Sequence, residues 1–291
     1  MPLRARYYTD PACVASWAAE PRLRRLMVEF GTDLAFTYVM GGLARDYESG
    51  FSDPSAGIEA ARPYPTLLLH WLDRAGRSRM PMDPRLWSEG PIRSTFPACM
   101  AVKAAAEQGT GAAERYLRAV REGLFCFRRK LDTTESLVET AREAGLDARR
   151  FRIDLQSNAI VEAFSADLEE VRSPPEEARA AGAVTEGQGG ERLTFPAIRF
   201  EGDGGTAWAF AAADDSAHWP EAARRAGGRP ADGLRPDPLV ALRRFGRMAT
   251  VEVEAVCDLS EQAASQELWR LAAEGRARPL RVLTGTLWEL A

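Results

Sequence analysis

The chain has 291 residues, 45% of them hydrophobic, which is enough for one large globular domain or two moderate ones. Its net charge of −4 comes from 38 basic and 42 acidic residues, which excludes a bulk basic field that would hold nucleic acid or an anionic membrane. Residues 1–9 lack the apolar core of a signal peptide, and no apolar stretch approaches the ~20 residues that span a bilayer. We therefore expect a cytoplasmic protein without a membrane or nucleic-acid partner.

The first predicted elements form a strand-helix-strand unit. Residues 4–9 and 33–40 are rich in aromatic and β-branched side chains, and the segment from Val14 to Phe30 between them is predicted to be a helix that Pro21 kinks. A crossover helix joins parallel strands. Cys13, at the start of this helix, is therefore predicted at the carboxyl end of the first strand, where open α/β sheets present their sites.

Cys13 is the first candidate nucleophile, because the unpaired N–H groups and partial positive charge of a helix N-terminus lower the pKa of a thiol. Ser16 stands where a dithiol enzyme has its second cysteine, so the motif can attack a disulfide but cannot resolve the mixed disulfide. We expect the Ser16 hydroxyl to donate to the Cys13 thiolate. Asp10 and Trp17 flank the motif and are candidate substrate-binding residues; a turn or cap role for Asp10 and core packing for Trp17 are the alternatives.

The chain then changes to helical periodicity, and an all-helical domain is predicted over 46–184. Gly109 and Gly145 mark helix ends, and Asp147 is a predicted N-cap. The predicted helices cover 66–76, 95–108, 112–130, 134–144, 147–155 and 158–170.

A second sheet-forming segment follows a predicted loop over 186–191. Residues 193–200 and 206–210 are predicted strands, joined by a glycine-rich hairpin turn. Pro196 interrupts the first of them, which an ordinary central strand does not tolerate. A short helix is predicted from Pro220 to Ala226.

The last unit, residues 229–291, is predicted to contain three helices and a hairpin, an order that resembles a winged helix. Residues 239–291 hold seven basic and seven acidic residues, so attraction to DNA phosphates is poor. We expect this unit to pack within the protein, to mediate dimerisation or to bind a protein partner. Its helices are predicted at 239–247, 250–257 and 260–274, and its strands at 279–283 and 286–290.

A strand, a Cys13-x-x-Ser16 motif, a kinked helix and a late proline at the head of a strand together resemble the thioredoxin superfamily. More closely, the chain is similar to the cytoplasmic DsbA-like branch that includes FrnE-type dithiol-disulfide isomerases, 2-hydroxychromene-2-carboxylate isomerases and kappa-class glutathione transferases. The resemblance covers roughly residues 4–215 and includes the middle segments 97–109 and 143–147.

The resemblance implies an α/β fold, with a thioredoxin-like sheet domain over 1–45 and 185–228 and an all-helical domain inserted over 46–184. The small winged-helix-like unit at 229–291 lies outside it.

The resemblance also implies a site. Cys13 and Ser16 would form the redox motif, and Pro196 would be cis and lie against the nucleophile. The backbone of Thr194 and Phe195 would pair with an extended substrate such as glutathione or a peptide. The chain departs from the usual Cys-Pro-x-Cys motif, because valine replaces the proline and Ser16 replaces the resolving cysteine.

Three functions remain open at this stage. The first is a DsbA-family thiol-disulfide oxidoreductase or isomerase that uses Cys13 as a monothiol. An external low-molecular-weight thiol, such as glutathione, would be its resolver and co-substrate, and a small thiol or a protein disulfide its partner. The second is a non-catalytic adaptor that binds a protein through the C-terminal unit, since DsbA-like adaptors that deliver a regulator to a protease exist in the broader family. The third is a glutathione-dependent transferase or isomerase.

The four cysteines and two histidines show no metal-binding spacing, so we expect free thiols, no metal and no tightly bound cofactor.

Overall fold

The computed structural model describes residues 2–49, 63–109, 111–210, 218–231, 233 and 235–291. Residues 50–62 of the predicted helical domain lie outside this description. The strands are β1 (Leu3–Thr9), β2 (Leu34–Met40), β3 (Val184–Gly187), β4 (Gly190–Leu193), β5 (Ala197–Gly202), β6 (Gly205–Phe210), β7 (Met248–Ala249), β8 (Ala277–Val282) and β9 (Gly285–Leu290). The helices are α1 (Val14–Ala18), α2 (Glu20–Phe30), α3 (Pro63–Ser78), α4 (Leu86–Glu89), α5 (Phe96–Ala106), α6 (Ala112–Phe125), α7 (Thr134–Glu143), α8 (Ala148–Leu155), α9 (Asn158–Val171), α10 (Glu176–Ala180), α11 (His218–Arg225), α12 (Pro238–Phe245), α13 (Thr250–Cys257) and α14 (Glu261–Ala273).

The main sheet has four strands in the order β2-β1-β5-β6. β1 pairs in parallel with β2, and in antiparallel fashion with β5, which in turn pairs with β6. The crossover from β1 to β2 runs through α1 and α2, as the sequence predicted. The mixed α/β architecture with a thioredoxin-like sheet is confirmed, and it places the loop after β1 next to the loop before β5.

The segment predicted as one kinked helix from Val14 to Phe30 is two helices. α1 ends at the C-cap Ala19, and Ala19 is also the N-cap of α2. Pro21 lies in the first turn of α2, where the backbone N–H has no helical acceptor to lose. Ala19, the single residue between the two helices, keeps helical dihedrals of φ −89° and ψ −3°, so the segment is a helix interrupted two residues before Pro21, where the sequence predicted a kink.

The loop predicted at 186–191 is instead the end of a β-hairpin, in which 186–187 and 190–191 belong to the strands and only 188–189 form the turn. β3 and β4 pair antiparallel in a separate two-stranded sheet, and Gly189 and Gly190 take φ values of +108° and +99° at this end. The strand predicted over 193–200 is thus divided between β4 and β5, with Pro196 at the break.

The helical domain largely follows its prediction. Asp147 is the N-cap of α8, where its carboxylate accepts the N–H groups of Arg149 and Arg150. The helix predicted to run to residue 130 ends at Phe125, because the chain turns there and Arg128 takes a φ of +53°. α4 and α10 were missed, since four and five residues are too few to show a helical period. None of the described helices combines the length and the apolarity that a bilayer crossing needs.

One apolar core joins the sheet to the helical domain. It contains Tyr7 of β1, Trp71 of α3 and Leu124 of α6, and it reaches Leu287 of β9. The C-terminal unit adds a second core around Val253 and packs its three helices on a small sheet of order β7-β9-β8. Three helices and the β8-β9 hairpin stand where the sequence predicted them.

A group of buried charges joins the C-terminal unit to the rest of the protein. Arg118 of α6 lies between three carboxylates, with N–O distances of 3.2 Å to Glu20, 2.7 Å to Glu122 and 2.8 Å to Glu252. Arg24 lies 3.1 Å from Glu252, and Arg121 pairs with Glu20. Burial acts to raise the pKa of Glu20, but the guanidinium groups of Arg121, Arg118 and Arg24 together hold it below its ordinary value. We call these six residues, Glu20, Arg24, Arg118, Arg121, Glu122 and Glu252, the Glu252 cluster.

We predict that Glu252→Gln lowers the free energy of unfolding by about 3–5 kcal/mol, because it leaves the buried guanidinium groups of Arg24 and Arg118 short of a counter-charge. Urea denaturation measures the loss. Glu267→Gln is the matched control: its pair with Arg270 lies on the surface of α14, where about 0–1 kcal/mol is expected. Equal losses in the two variants would contradict a stabilising role for the cluster.

Candidate functional site

Cys13 lies where the sequence placed it, after β1 and at the N-cap of α1. Its backbone is extended, with φ −73° and ψ 109°, and its sulfur accepts the backbone N–H of Ser16 at 3.4 Å. The backbone therefore aims one donor at the sulfur, as expected at a helix start.

The Cys13 thiol is buried, with 7% of its surface exposed. Burial raises its pKa above the ordinary thiol value, and the charge of Asp10 adds to the rise. The hydroxyl and N–H of Ser16 and the guanidinium of Arg121 act in the opposite direction without reversing it. The expectation of a pKa lowered by the helix N-terminus is thus overturned, because α1 has only five residues and burial in apolar surroundings disfavours a thiolate.

Ser16 connects the thiol to the Glu252 cluster. The Thr9 hydroxyl donates to the Ser16 Oγ at 2.7 Å, and Thr9 in turn accepts from Arg121. Arg121 pairs with Glu20, so a continuous path of polar contacts runs from Ser16 to Glu20. Sequence analysis missed Arg121, which is 112 positions from Thr9; a basic residue on the buried face of α6 was the signal available.

Asp10 and Trp17 both lie in the interior of the protein. Asp10 is fully buried, and its carboxylate accepts the N–H groups of Ala12 and Leu43 at 2.8 and 2.7 Å and the hydroxyl of Thr95 at 2.9 Å. Trp17 is also fully buried and stacks on Phe125 with ring centroids 5.4 Å apart. These contacts fit the turn or cap role of Asp10 and the core packing of Trp17 that the sequence analysis gave as alternatives, and substrate binding by either residue stays a prediction.

The loop before β5 lies beside Cys13. The peptide bond between Phe195 and Pro196 is cis. Phe195 belongs to the same buried apolar cluster as Cys13, and its ring fills the space that a Cβ at Gly41 would occupy. The N–H of Thr194 donates to Ala183 at 3.0 Å, so this donor is already used within the protein. The N–H of Thr194 is therefore not available for the expected pairing with a substrate.

The other three cysteines are buried free thiols. Cys99 donates to Asp10 at 3.3 Å, and Cys126 donates to the carbonyl of Pro81 at 3.3 Å. Burial raises the pKa of both far above the ordinary value, and it raises the pKa of Cys257 to about 12. Resolution of a Cys13 mixed disulfide by another thiol of this chain is therefore disfavoured.

A groove of about 890 Å³ opens beside the motif. Cys13 and Val14 lie on one side, α3 forms another side, and Thr194 and Phe195 form the end. Trp208 of β6 continues the wall, with its ring stacked on that of Tyr8 at 5.3 Å. The structure thus brings Cys13, Thr194 and Phe195 together on one groove.

A family model described as Thioredoxin matches residues 7–172, more than half of the chain, and the chain belongs to this thioredoxin family. The resemblance to the thioredoxin superfamily is thereby confirmed.

The chain is 31% identical over 168 residues to the ClpXP adapter protein SpxH of Halalkalibacterium halodurans, which covers 58% of this chain and 54% of that protein. This match spans about half the length of the relative. Against SpxH of Shouchella clausii, identity is 26% over 296 residues, covering 99% of this chain and 88% of the other. Among solved structures, the cytosolic disulfide reductase DsbM from Pseudomonas aeruginosa shares the fold, with a TM-score of 0.51 and 18% identity over 71% of this chain and 88% of DsbM.

We predict that alkylation of Cys13 by iodoacetamide follows an apparent pKa no lower than that of an ordinary free thiol, because burial outweighs the donors around the sulfur. The rate is measured as a function of pH. Cys13→Ala supplies the background from the three other thiols. An apparent pKa below about 7 would contradict the burial argument and would mean that α1 activates the thiol.

Proposed function

We propose that this protein is a thioredoxin-like adaptor that binds a protein partner and acts with a ClpXP-type protease. The proposal follows the name of its relatives, the ClpXP adapter proteins SpxH. The observation that carries the proposal is the state of Cys13: the thiol is buried, its pKa is raised, and Ser16 stands where a resolving cysteine would be. A thiol in this state is a poor nucleophile at neutral pH.

The C-terminal unit supports an adaptor. The Glu252 cluster and the shared core hold it against α2 and α6, so it presents a fixed surface to a partner. That surface includes Trp269, which is 48% exposed and packs edge-on against Trp288 at 4.9 Å. Exposed tryptophan is enriched among residues that dominate protein interfaces.

A second candidate is the monothiol oxidoreductase or isomerase that uses an external thiol such as glutathione. The N–H of Ser16 that points at the Cys13 sulfur, and the opening of Cys13 onto the groove, favour it. It requires that Cys13 become exposed and ionised when a disulfide substrate enters. A cytoplasmic location would suit either function and remains a prediction.

The two candidates predict opposite results for Cys13→Ala. Cells that lack the chain are complemented with the wild type, Cys13→Ala or Cys13→Ser, and pulse-labelling proteomics measures the half-lives of ClpXP substrates. We expect the chain to shorten the half-life of at least one substrate and both variants to do so equally, because binding does not need the thiol.

The matching test in vitro is glutathione-dependent reduction of insulin disulfides. An adaptor gives the same rate for the wild type and Cys13→Ala, equal to that of glutathione alone. Turnover that the wild type accelerates and Cys13→Ala does not, together with failure of the variants to restore degradation in cells, would refute the adaptor and establish the second candidate.

A further inference from the structure

The groove beside Cys13 has an uneven charge. Within the described part of the chain, its lining includes no aspartate or glutamate. It includes the six arginines Arg22, Arg74, Arg77, Arg79, Arg192 and Arg225. The chain as a whole has a net charge of −4, so this positive lining is a local feature and not a consequence of composition.

Part of that charge is already balanced. Arg79 pairs with Glu254 and with Glu261 at 2.9 Å, and Arg192 lies over the ring of Phe195 at 4.8 Å and donates to a backbone carbonyl. Arg77 pairs with Asp73 at 3.2 Å, but both side chains are more than half exposed, so water screens this pair. The positive charge available to a ligand therefore lies mainly on Arg74 and Arg77 of α3 and on Arg225 of α11.

The arginines of α3 share one face of the helix. His70, Arg74 and Arg77 follow one another at spacings of four and three residues, which places them in one row along the groove. The Nε of Arg74 is buried and has no hydrogen-bond acceptor among the described residues. A buried donor without an acceptor carries a desolvation cost that an incoming carboxylate would remove.

Two aromatic side chains of β6 also line the groove. Trp208 and Phe210 lie two residues apart on β6, so both side chains face the groove side of the sheet, and their rings stack at 5.5 Å. Both are half-buried, and β6 is an edge strand of the main sheet. Half-buried rings on an edge strand provide an apolar surface for an extended chain.

We propose that this groove is the docking site for an extended acidic segment of the partner protein. Carboxylates of the segment pair with Arg74 and Arg77 and with Arg225, and its apolar side chains pack on Trp208 and Phe210. The site rests on the proposed adaptor function, to which it assigns the chemistry of the bound partner. Charge complementarity selects the segment, and Cys13 lines the groove without reacting.

The binding test uses a short fluorescein-labelled peptide of alternating glutamate and leucine, with a glutamine-leucine peptide of the same length as the uncharged control. Fluorescence anisotropy gives both affinities. We expect the acidic peptide to bind at least about tenfold more tightly, since charged hydrogen bonds are roughly twice as strong as neutral ones. Its affinity should fall as salt is added.

The variant Arg74→Gln/Arg77→Gln should weaken the acidic peptide by about tenfold or more and leave the control peptide unchanged. Arg225→Gln, at an exposed position on α11, is a second variant that does not disturb α3. Arg149→Gln is the matched control, because Arg149 is an exposed arginine of α8 outside the groove. Equal binding of the two peptides, or equal effects of the three variants, would overturn the proposal. So would displacement of the acidic peptide by glutathione at a similar concentration, which would identify a site for a small thiol.

The degradation assay in cells separates failure of this site from failure of the adaptor function. We expect Cys13→Ala to restore degradation and Arg74→Gln/Arg77→Gln not to restore it. If both variants restore it, the groove is not the docking site and the adaptor function stands. If Cys13→Ala does not restore it, the adaptor function itself fails, whatever the peptides do.

Discussion

Arg118 lies among three carboxylates, two of which come from parts of the chain far from it in sequence. This guanidinium, on α6, joins Glu20 of α2 to Glu252 of α13. Buried ions tolerate little movement, since each must keep its partners to offset the loss of hydration. The three parts of the chain are therefore held in one relative position, and the first turn of α2, immediately after the Cys13 motif, is part of the junction.

Elements that are determined by local sequence patterns were predicted correctly. β1, the position of Cys13, the helices of the inserted domain and the order of the C-terminal elements follow from periodicity and from capping residues within a few positions. Pro21 marked a break in the helical segment, but the position of the break at Ala19 is known only from the structure. The sequence analysis did not predict the β3-β4 hairpin, because each strand has only four residues and contains glutamate and glycine, which are uncommon in strands.

The character of the site could not be predicted in the same way. A helix N-terminus favours a lowered thiol pKa. The pKa of Cys13, however, depends on burial by Phe195 and on the charges of Asp10 and Arg121. Phe195 and Arg121 come from segments that are distant in the sequence. Asp10 gives the same lesson: it flanks the motif in sequence, yet its carboxylate is fully occupied by donors from Leu43 and Thr95. Arg74 and Arg77 of α3 line the same groove as Cys13, although they lie far from it in the sequence.

All four thiols lie below the surface, and burial raises the pKa of each. Peroxides and electrophiles react with exposed thiolates, so this chain offers them little to attack. An oxidant would therefore have to open the fold before it could modify these thiols.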